Sequence, residues 1–419
     1  MSALARAGRR GPAAGTTLIE MMVTVVLVSF VMVLVFQTLL GFRALTQATH
    51  LRRQTAATAR QALRFLEQDL QGVGYGLEPA LGLDFTVYQG GGAYCGASPG
   101  GDVTASPCPA LRDRIDGPDE LVFYARNPGY WGGDLGGAPE GKAWSVVSAS
   151  SSDVTLEAHG GEYFGRGQLL QLVCSGGDRH AYVRVSASLT VAAAGATSVT
   201  LESAVPGDPF TQSADTFLSD CGSVARAFLV DRFRYYVDPA VVLADGSTGS
   251  FLMLDRGVDR NGDDALDATD LIPIAAGIVD LQVSYIRPQP ALVEVGASSG
   301  TALGFCNLDS RPPSAITPCA GGLGVVQFSA GAGAGDNQGF GYLETGGALR
   351  QAPHAANVAA VHVALVARSA SRSDALQSQP LLLNRSELPA SALDQPFVYS
   401  TAESVVSTPN LQARGLSFL

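Results

Sequence analysis

The pattern of apolar and polar positions divides the chain into three parts, and the first is a long apolar run. The segment from Met21 to Leu40 carries no charge. At 1.5 Å per residue, a helix of about twenty apolar residues matches the ~30 Å hydrocarbon core of a bilayer. The sequence therefore predicts a membrane-spanning helix over about residues 18–40.

The second part is predicted to continue the same helix with one apolar face. Its apolar residues recur at mostly three- and four-residue steps, with Arg and Gln between them. No proline interrupts it, and three glycines after residue 71 predict its end. We expect one helix over residues 16–76, amphipathic over 41–73. Its predicted apolar face is Phe42, Leu45, Ala48, Leu51, Ala56, Ala59, Leu63, Leu66, Leu70 and Val73.

In the third part, beyond residue 80, the period changes to two. Short alternating or β-branched runs, separated by Gly-, Pro- and Ser-rich loops, predict a β-rich globular domain over residues 77–419. Two of its loops, 89–118 and 289–356, are long and rich in glycine. The predicted fold class is α+β: a long N-terminal helix packed on an antiparallel sheet, with an enlarged β-rich C-terminal head. The predicted strands are 83–89, 120–126, 144–150, 153–158, 168–174, 181–188, 197–203, 225–238, 250–255, 278–287 and 357–369.

Charge argues against nucleic-acid binding by the globular part. The chain of 419 residues has a net charge of -11, and residues 1–15 contribute three arginines. Without those residues, 24 Lys and Arg remain against 38 Asp and Glu. Such an acidic surface repels phosphate backbones, and no basic patch with interleaved aromatic residues is visible.

The start of the chain joins a basic segment to a glycine and a carboxylate. Arginines 6, 9 and 10 precede Gly15, and the sequence TTLIE follows, ending at Glu20 just before the apolar run. Arginines on this side of the span predict a cytoplasmic N-terminus and a globular domain outside the inner membrane. The arrangement resembles the class III signal of type IV prepilins, in which a Glu is the fifth residue after the cut. The resemblance implies that prepilin peptidase cleaves after Gly15 and methylates the new N-terminus at Thr16, where the family usually has Phe or Met.

Glu20 has two interpretations. A carboxylate in a bilayer costs about 2.5–3.5 kcal/mol on insertion scales, so it should seek a cation. In pilin assembly, as the resemblance implies, that cation is the N-terminal ammonium of a neighbouring subunit, and Glu20 is then a docking charge. The alternative is a Glu that reaches back to the headgroups from a plain membrane anchor.

The end of the helix narrows the resemblance from type IV pilins in general to one branch of that family. FLEQDLQGVGYG, residues 65–76, is similar to the helix end of PilW-type minor pilins, and the segments 225–290 and 355–370 are similar to their core strands. The resemblance implies a minor pilin that primes or caps a type IV pilus together with other minor and major pilins. Its head would lie at the pilus tip, where adhesion, motility or DNA uptake are the implied roles. The alternatives are a J-type pseudopilin of a type II secretion system and, in another class, a signal-anchored periplasmic enzyme or binding module.

The segment DRNGDDALDATD, residues 259–270, is the best candidate for a metal site. Its oxygen ligands would occupy the first, third, fifth, seventh, ninth and twelfth positions, the spacing of an EF-hand-type calcium loop. Asp264 stands where that loop usually has glycine, and strands replace the flanking helices. Calcium binding is one interpretation, and a solvated acidic turn is the other. The candidate ligands are the side chains of Asp259, Asn261, Asp263, Asp267 and Asp270 and the carbonyl group of Ala265.

The cysteines predict disulfides in an oxidising compartment. No two of them form a CxxC pair, and their even number behind a membrane span favours bridges. Six cysteines allow 15 pairings; we predict that nearest neighbours pair, and a set of buried thiols is the alternative. The predicted pairs are Cys95 with Cys108, Cys174 with Cys221, and Cys306 with Cys319.

Two segments resemble catalytic motifs, but each lacks a feature that its motif requires. GASPG, residues 96–100, lies in a Gly-rich loop and not on a strand–turn–helix elbow. GGAPEGKA, residues 136–143, lacks the Ser or Thr that a P-loop needs for magnesium. The five histidines are scattered. We assign no active site and do not expect an enzyme.

Overall fold

The computed structural model describes a helix and most of the predicted strands. Within the described residues the chain is α+β, with one long N-terminal helix and antiparallel sheets, as predicted. The described residues are 17–78, 81–84, 118–126, 143–157, 163–174, 180–190, 195–204, 210–221, 225–242, 246, 248–286, 305–306, 358, 360–370 and 397–412.

The N-terminal helix α1 runs without interruption over Leu18–Leu70, 53 residues, or about 80 Å at 1.5 Å per residue. Among the described residues it is the one helix long and apolar enough to cross a membrane, with a mean hydropathy of 2.7 in its most apolar window. It ends six residues before the predicted boundary, and turns follow. Gly76 has a φ of 68° there. A Cβ at this glycine would lie 2.7 Å from Nε of Arg126, so a side chain would push the turn away from the sheet.

Only the outer part of α1 is buried by the head. From Ala48 onward one face is covered, and Ala59 and Leu66 are fully buried. The first two positions of the predicted apolar face, Phe42 and Leu45, are 68% and 59% exposed. Periodicity therefore gave the direction of the apolar face correctly, but not the residue at which the head begins to cover it.

The remaining elements within the described residues are sixteen strands, two short α-helices and one turn of 3₁₀ helix. The strands are β1 (Leu83–Asp84), β2 (Leu121–Arg126), β3 (Ala143–Ala149), β4 (Asp153–Glu157), β5 (Tyr163–Phe164), β6 (Leu169–Cys174), β7 (His180–Arg184), β8 (Leu189–Thr190), β9 (Ala196–Thr200), β10 (Ala225–Val242), β11 (Thr248–Asp255), β12 (Ile272–Ala276), β13 (Ile278–Ile286), β14 (Phe305–Cys306), β15 (Ala360–Arg368) and β16 (Tyr399–Ser407). The helices are α2 (Ala214–Cys221), the 3₁₀ turn Ala268–Asp270 and α3 (Pro409–Gln412).

Strand β10, with 18 residues, organises the larger sheet. Its first half pairs with β3 and β6, and its second half pairs with β2 and β11, all antiparallel. The sheet continues to β4 and β9, to β7, to β12 and to β1. After Gly277 the chain enters a second antiparallel sheet with the order β14-β13-β15-β16, and β5 pairs with β8 alone.

The two halves of β10 belong to different hydrophobic cores. In the first, the helix-side core, α1 packs against the second half of β10 and the second sheet through residues such as Leu66, Phe233 and Leu365. In the other, the distal core, the first half of β10 packs with β3, β4, β6, β7 and β9 around Trp144 and Phe164. The distal core contains no residue of α1. The described head thus has two main packed units, which share β10. A third cluster of buried residues, including Val122 of β2, Leu169 of β6 and Tyr182 of β7, also connects them.

One of the three predicted disulfides lies within the described residues. Cys174 at the end of β6 bonds to Cys221 at the end of α2, with their Cα atoms 5.3 Å apart. This bond holds α2 against the distal core. The other two predicted pairs depend on Cys95, Cys108 and Cys319, which lie outside the described residues.

Five of the described strands were not predicted: β5, β8, β12, β14 and β16. The longest, β16, was missed because its sequence YSTAESVVS is rich in Ser and Thr and has no clear alternation; its first residue, Tyr399, and Val406 are buried. β12 follows directly after the aspartate-rich segment. Pro273 fits there because β12 pairs only with β11 among the described strands, so one edge needs no amide donors.

Candidate functional site

The first candidate site is the N-terminus of α1, where Glu20 closes a capping box. Thr17 is the N-cap residue, and its amide donates a hydrogen bond to Oε2 of Glu20 at 3.0 Å. The amide of Glu20 donates in return to Oγ1 of Thr17 at 3.3 Å. A helix begins with amides that have no partner in the helix, and this pair of side chains satisfies two of them.

The carboxylate of Glu20 therefore has hydrogen-bond donors within its own helix. The sequence carries this signal, since Thr-x-x-Glu is the pattern of a capping box, but the sequence interpretation considered only docking and snorkelling. Gly15 and Thr16 lie outside the described residues. The docking role of Glu20 stays a prediction, and the cap is an additional role that any substitution there must consider.

The hydroxyl groups inside the apolar half of α1 are also satisfied locally. Thr24 donates to the carbonyl oxygen of Glu20 at 3.0 Å, and Ser29 donates to that of Val25 at 2.7 Å. Thr38 donates to the carbonyl oxygen of Leu34 at 3.0 Å. Such bonds to the preceding turn remove the penalty of placing a hydroxyl in hydrocarbon. The hydroxyl groups of this half are thus compatible with a lipid environment.

The second candidate site is the segment 259–270, here called the aspartate loop, which connects β11 to β12. Asp259 is fully buried at its start. Its Oδ1 accepts the amides of Asn261 and Gly262, and its Oδ2 accepts the amide of Asp264 at 2.9 Å and the hydroxyl of Ser188. Burial acts to raise the pKa of Asp259, but these four hydrogen bonds favour the charged form and the pKa is lowered. Asp259 is the centre around which the first half of the loop folds.

Asp264 supplies the conformation that glycine gives to an EF-hand-type loop. Its φ is 60°, and it is the one non-glycine residue with positive φ in the described part of the chain. Asp is among the few residues that reach this region readily, because its short side chain bonds to nearby backbone. Here its Oδ1 accepts the amide of Ser188, and its carbonyl oxygen accepts Nη1 of Arg166 at 2.7 Å. At its sixth position the loop therefore differs from an EF-hand-type loop in residue type but not in backbone conformation.

The second half of the loop closes on Asp270. Oδ1 of Asp270 accepts the amide of Arg260 at 2.7 Å, which joins the twelfth position of the loop to its second. Asp267 caps the 3₁₀ turn, its Oδ1 accepting the amide of Thr269 at 2.7 Å. Hydrogen bonds from Thr269 lower the pKa of Asp267. The loop thus has an ordered shape that its own carboxylates define.

Residues far away in sequence fasten this loop to the distal part of the head. The hydroxyl of Tyr163 donates to the carbonyl oxygen of Asp259 at 3.3 Å. A Cβ on Gly165 would lie 2.0 Å from that carbonyl oxygen, and one on Gly167 would lie 2.1 Å from the carbonyl oxygen of Gly257, so only glycine permits this approach. The sequence interpretation missed these residues. No local signal reveals them, because the contacts join segments almost a hundred positions apart.

The arrangement only partly fits a calcium ion. At the sixth position Asp264 has the positive φ that such a loop needs, and Asp263 is exposed. However, no group of three or more His, Cys, Asp or Glu side chains is arranged to hold a metal ion in the described part of the chain. Asp263 uses its carboxylate for the amide of Ala265 and for the side-chain amide of Asn261. Calcium binding stays a prediction that requires some of these side chains to turn inward.

The segments considered for catalysis add no described site. GASPG lies outside the described residues, as does nearly all of GGAPEGKA. His362 on β15 lies 3.7 Å from Oε2 of Glu403 on β16. Burial lowers the pKa of His362, and the charge of Glu403 opposes that effect. The arrangement is one that a buried structural histidine commonly adopts.

Comparisons of the chain with protein-family models, with curated proteins and with solved structures find no match. The functional argument therefore depends on the residues of the chain itself and on their geometry.

Proposed function

We propose that this chain is a PilW-type minor pilin. It would be anchored in the inner membrane by residues 18–40, with a cytoplasmic N-terminus, and processed by prepilin peptidase after Gly15. It would then enter a type IV pilus with other minor and major pilins and expose its head at the tip. One observation carries the proposal: α1 is a single helix with two environments. It is apolar and uncovered over residues 18–40, then buried along one face from Ala48 and packed into the helix-side core from Ala59.

The uncovered half needs a partner other than the head. Its large side chains are mostly more than half exposed, for example Phe30 at 69% and Phe36 at 65%. Soluble proteins rarely leave such an area in water, so lipid or other apolar helices must cover it. A subunit that moves from a membrane into a helical filament meets both environments in turn. A rigid helix that continues into the head would transmit the head's position to the filament.

Peptide mass spectrometry of the N-terminus tests this function. Surface fibres are sheared from cells and the chain is digested. The proposal expects a peptide that begins at Thr16. The variant Gly15→Val should abolish that peptide and keep the chain in the membrane, whereas Gly11→Val, a matched change within the leader, should not. Recovery of only full-length chains in the membrane fraction would instead favour a signal-anchored periplasmic protein.

The calcium prediction belongs to the same proposal. The spacing of the oxygen ligands and the positive φ of Asp264 support it. Calcium would be a structural ion that holds the aspartate loop between β11 and β12. It would also fix the loop's contact with the distal part of the head, since Tyr163 and Ser188 both contact Asp259.

A further inference from the structure

The outer half of α1 carries a row of arginines on the side that faces solvent. Five arginines and no acidic residue occur between Met21 and Leu66. Three of them, Arg53, Arg60 and Arg64, follow seven- and four-residue steps, so they share one face of the helix. All three are exposed, and they lie away from the buried face that contains Ala59 and Leu66. We call these three residues the arginine stripe.

In the part of the chain that the structure describes, no acidic side chain pairs with the arginine stripe. None of the three guanidinium groups forms an ion pair or hydrogen bond with another described residue. The nearest acidic residues along α1 are Glu67, three positions beyond Arg64 on the same face, and Asp69, which accepts a hydrogen bond from Tyr235; Glu67 leaves at least two of the three charges without an opposite charge nearby. Three like charges along about 16 Å of helix repel one another, so an external anion would be favoured there.

The position of the stripe argues against lipid headgroups as that anion. Arg53 lies thirteen residues beyond Leu40, the end of the apolar run, which is about 20 Å along a helix. The headgroup layer is only about 5–8 Å deep on each side of the hydrocarbon, and salt screens charges within about 8–10 Å. The stripe is therefore above the membrane surface, at the level where another subunit's head would stand.

The head of this chain carries negative charge that is complementary to the arginine stripe. Residues 77–419 contain 35 Asp and Glu against 19 Lys and Arg. Among the described residues, the aspartate loop presents Asp263 and Asp264 to solvent and Asp267 in part, with Arg260 as its one cation. No ion pair joins this loop to the stripe within one molecule, in the part of the chain that the structure describes. The two surfaces can neutralise each other only between molecules.

We propose that the arginine stripe of one copy docks the aspartate loop of a second copy. The two surfaces differ, so the contact is head-to-tail, and each copy keeps one surface free for a further subunit. Exposed ion pairs are individually weak, and a row of three sets orientation and association rate more than affinity. The proposal does not depend on cleavage after Gly15, because both surfaces exist in the uncleaved chain.

A charge exchange between the two surfaces of the full-length chain tests the proposal. Each copy is reconstituted singly in a zwitterionic lipid nanodisc, so that contacts between spans are excluded, and EGTA keeps calcium off the aspartate loop. Association of immobilised with free discs is measured by biolayer interferometry at about 20 mM and about 300 mM salt. The immobilised and the free discs carry the same variant in each experiment: Arg60→Glu, Asp263→Lys, or both changes in one chain. The matched control is Arg43→Glu, the same charge change close to the span.

The proposal expects association that weakens with salt and that falls at least about fivefold when both populations carry Arg60→Glu or both carry Asp263→Lys, since an attraction becomes a repulsion. Arg43→Glu in both populations should leave it unchanged. Discs that carry Arg60→Glu and Asp263→Lys in the same chain should associate again. Absence of association between wild-type discs, or no recovery in the double variant, would overturn the proposal. Association that appears only when the discs contain anionic lipid would identify lipid as the occupant and would also overturn it.

Discussion

The hydroxyl of Tyr235 on β10 donates a hydrogen bond to Oδ2 of Asp69 in the last turn of α1, at 2.6 Å. This bond joins the helix to the strand that connects the two cores of the head. Burial raises the pKa of Asp69, although the hydrogen bond from Tyr235 and the charge of Arg256 act in the opposite direction. The geometry makes Tyr235 the residue that stabilises a half-buried carboxylate at the base of the helix.

Tyr235→Phe should lower the free energy of unfolding of the head by about 1–3 kcal/mol, because it leaves the Asp69 carboxylate without this donor. The ring stacks on Phe123 with centroids 6.3 Å apart, and Phe keeps that contact. Thermal unfolding of the full chain in micelles measures the effect. Tyr236→Phe is the matched control: Tyr236 makes no hydrogen bond to a described residue, so we expect a change within about 0.5 kcal/mol. Equal effects of the two changes would refute the assignment.

His362 should make the head less stable in mild acid. Its pKa in the folded chain is below the ordinary 6.5, so the unfolded chain binds more protons as the pH falls through this range, and stability falls with it. Between about pH 7 and the lowered pKa, His362→Gln should lose less stability than the wild type. Glu403→Gln should lose more, because Glu403 acts to raise the pKa of His362. The unfolding midpoint as a function of pH checks both signs, and parallel curves for the three proteins would contradict the prediction.

The sequence was sufficient for features that repeat along the chain. The long apolar run and the apolar face that follows it predicted the helix, and the run ARAFLVDRFRYYVD, residues 225–238, predicted β10. The sequence did not predict β16, because a strand that packs one face on a helix and lies at a sheet edge needs few apolar residues. The exposed state of Phe42 also could not be predicted, since it depends on where the head ends and not on the helix.

The parts of the candidate sites that could be predicted are those whose residues lie close together in the sequence. The ligand spacing of the aspartate loop and the Thr-x-x-Glu pattern are both contained within twelve residues. The residues that hold the loop, Tyr163 and Ser188, were not predictable. They reach Asp259 only because the β5–β8 pair packs on the loop, which is a long-range consequence of the whole fold.

The backbone at Asp264 gives a comparison that isolates conformation from side-chain contacts. Asp264→Gly and Asp264→Ala both remove the carboxylate that accepts the amide of Ser188. Only alanine must then hold a φ of 60° without a side chain that suits it. We expect Asp264→Ala to be less stable than Asp264→Gly by about 1 kcal/mol. Denaturant unfolding of the two variants measures this difference, and equal stabilities would show that the loop relaxes away from positive φ.

Calcium should raise the unfolding midpoint of the wild-type chain in micelles, and EGTA should reverse the rise. Asp263 is exposed and Asp267 is partly exposed, so their carboxylates can exchange their present hydrogen bonds for an ion more readily than a buried one. Asp263→Asn with Asp267→Asn should therefore abolish the response. Asp259 is a poor choice for this test, because its burial and four hydrogen bonds make any change there destabilising without calcium. Glu157→Gln, at an exposed position outside the loop, is the control. No shift with millimolar calcium would identify the loop as a solvated acidic turn.

Glu20 has two roles to separate, a helix cap and a docking charge, and two substitutions separate them. Glu20→Gln keeps an oxygen that accepts the amide of Thr17 but removes the charge, since Gln also serves at this position of a capping box. Glu20→Ala removes both. If the charge seeks the ammonium of a neighbouring Thr16, both variants should insert into the membrane but enter surface fibres poorly. If the cap is what matters, Glu20→Gln should enter fibres normally and only Glu20→Ala should fail. Quantifying the chain in sheared fibres against the membrane fraction distinguishes these results, and normal incorporation of both variants would eliminate the docking role of Glu20.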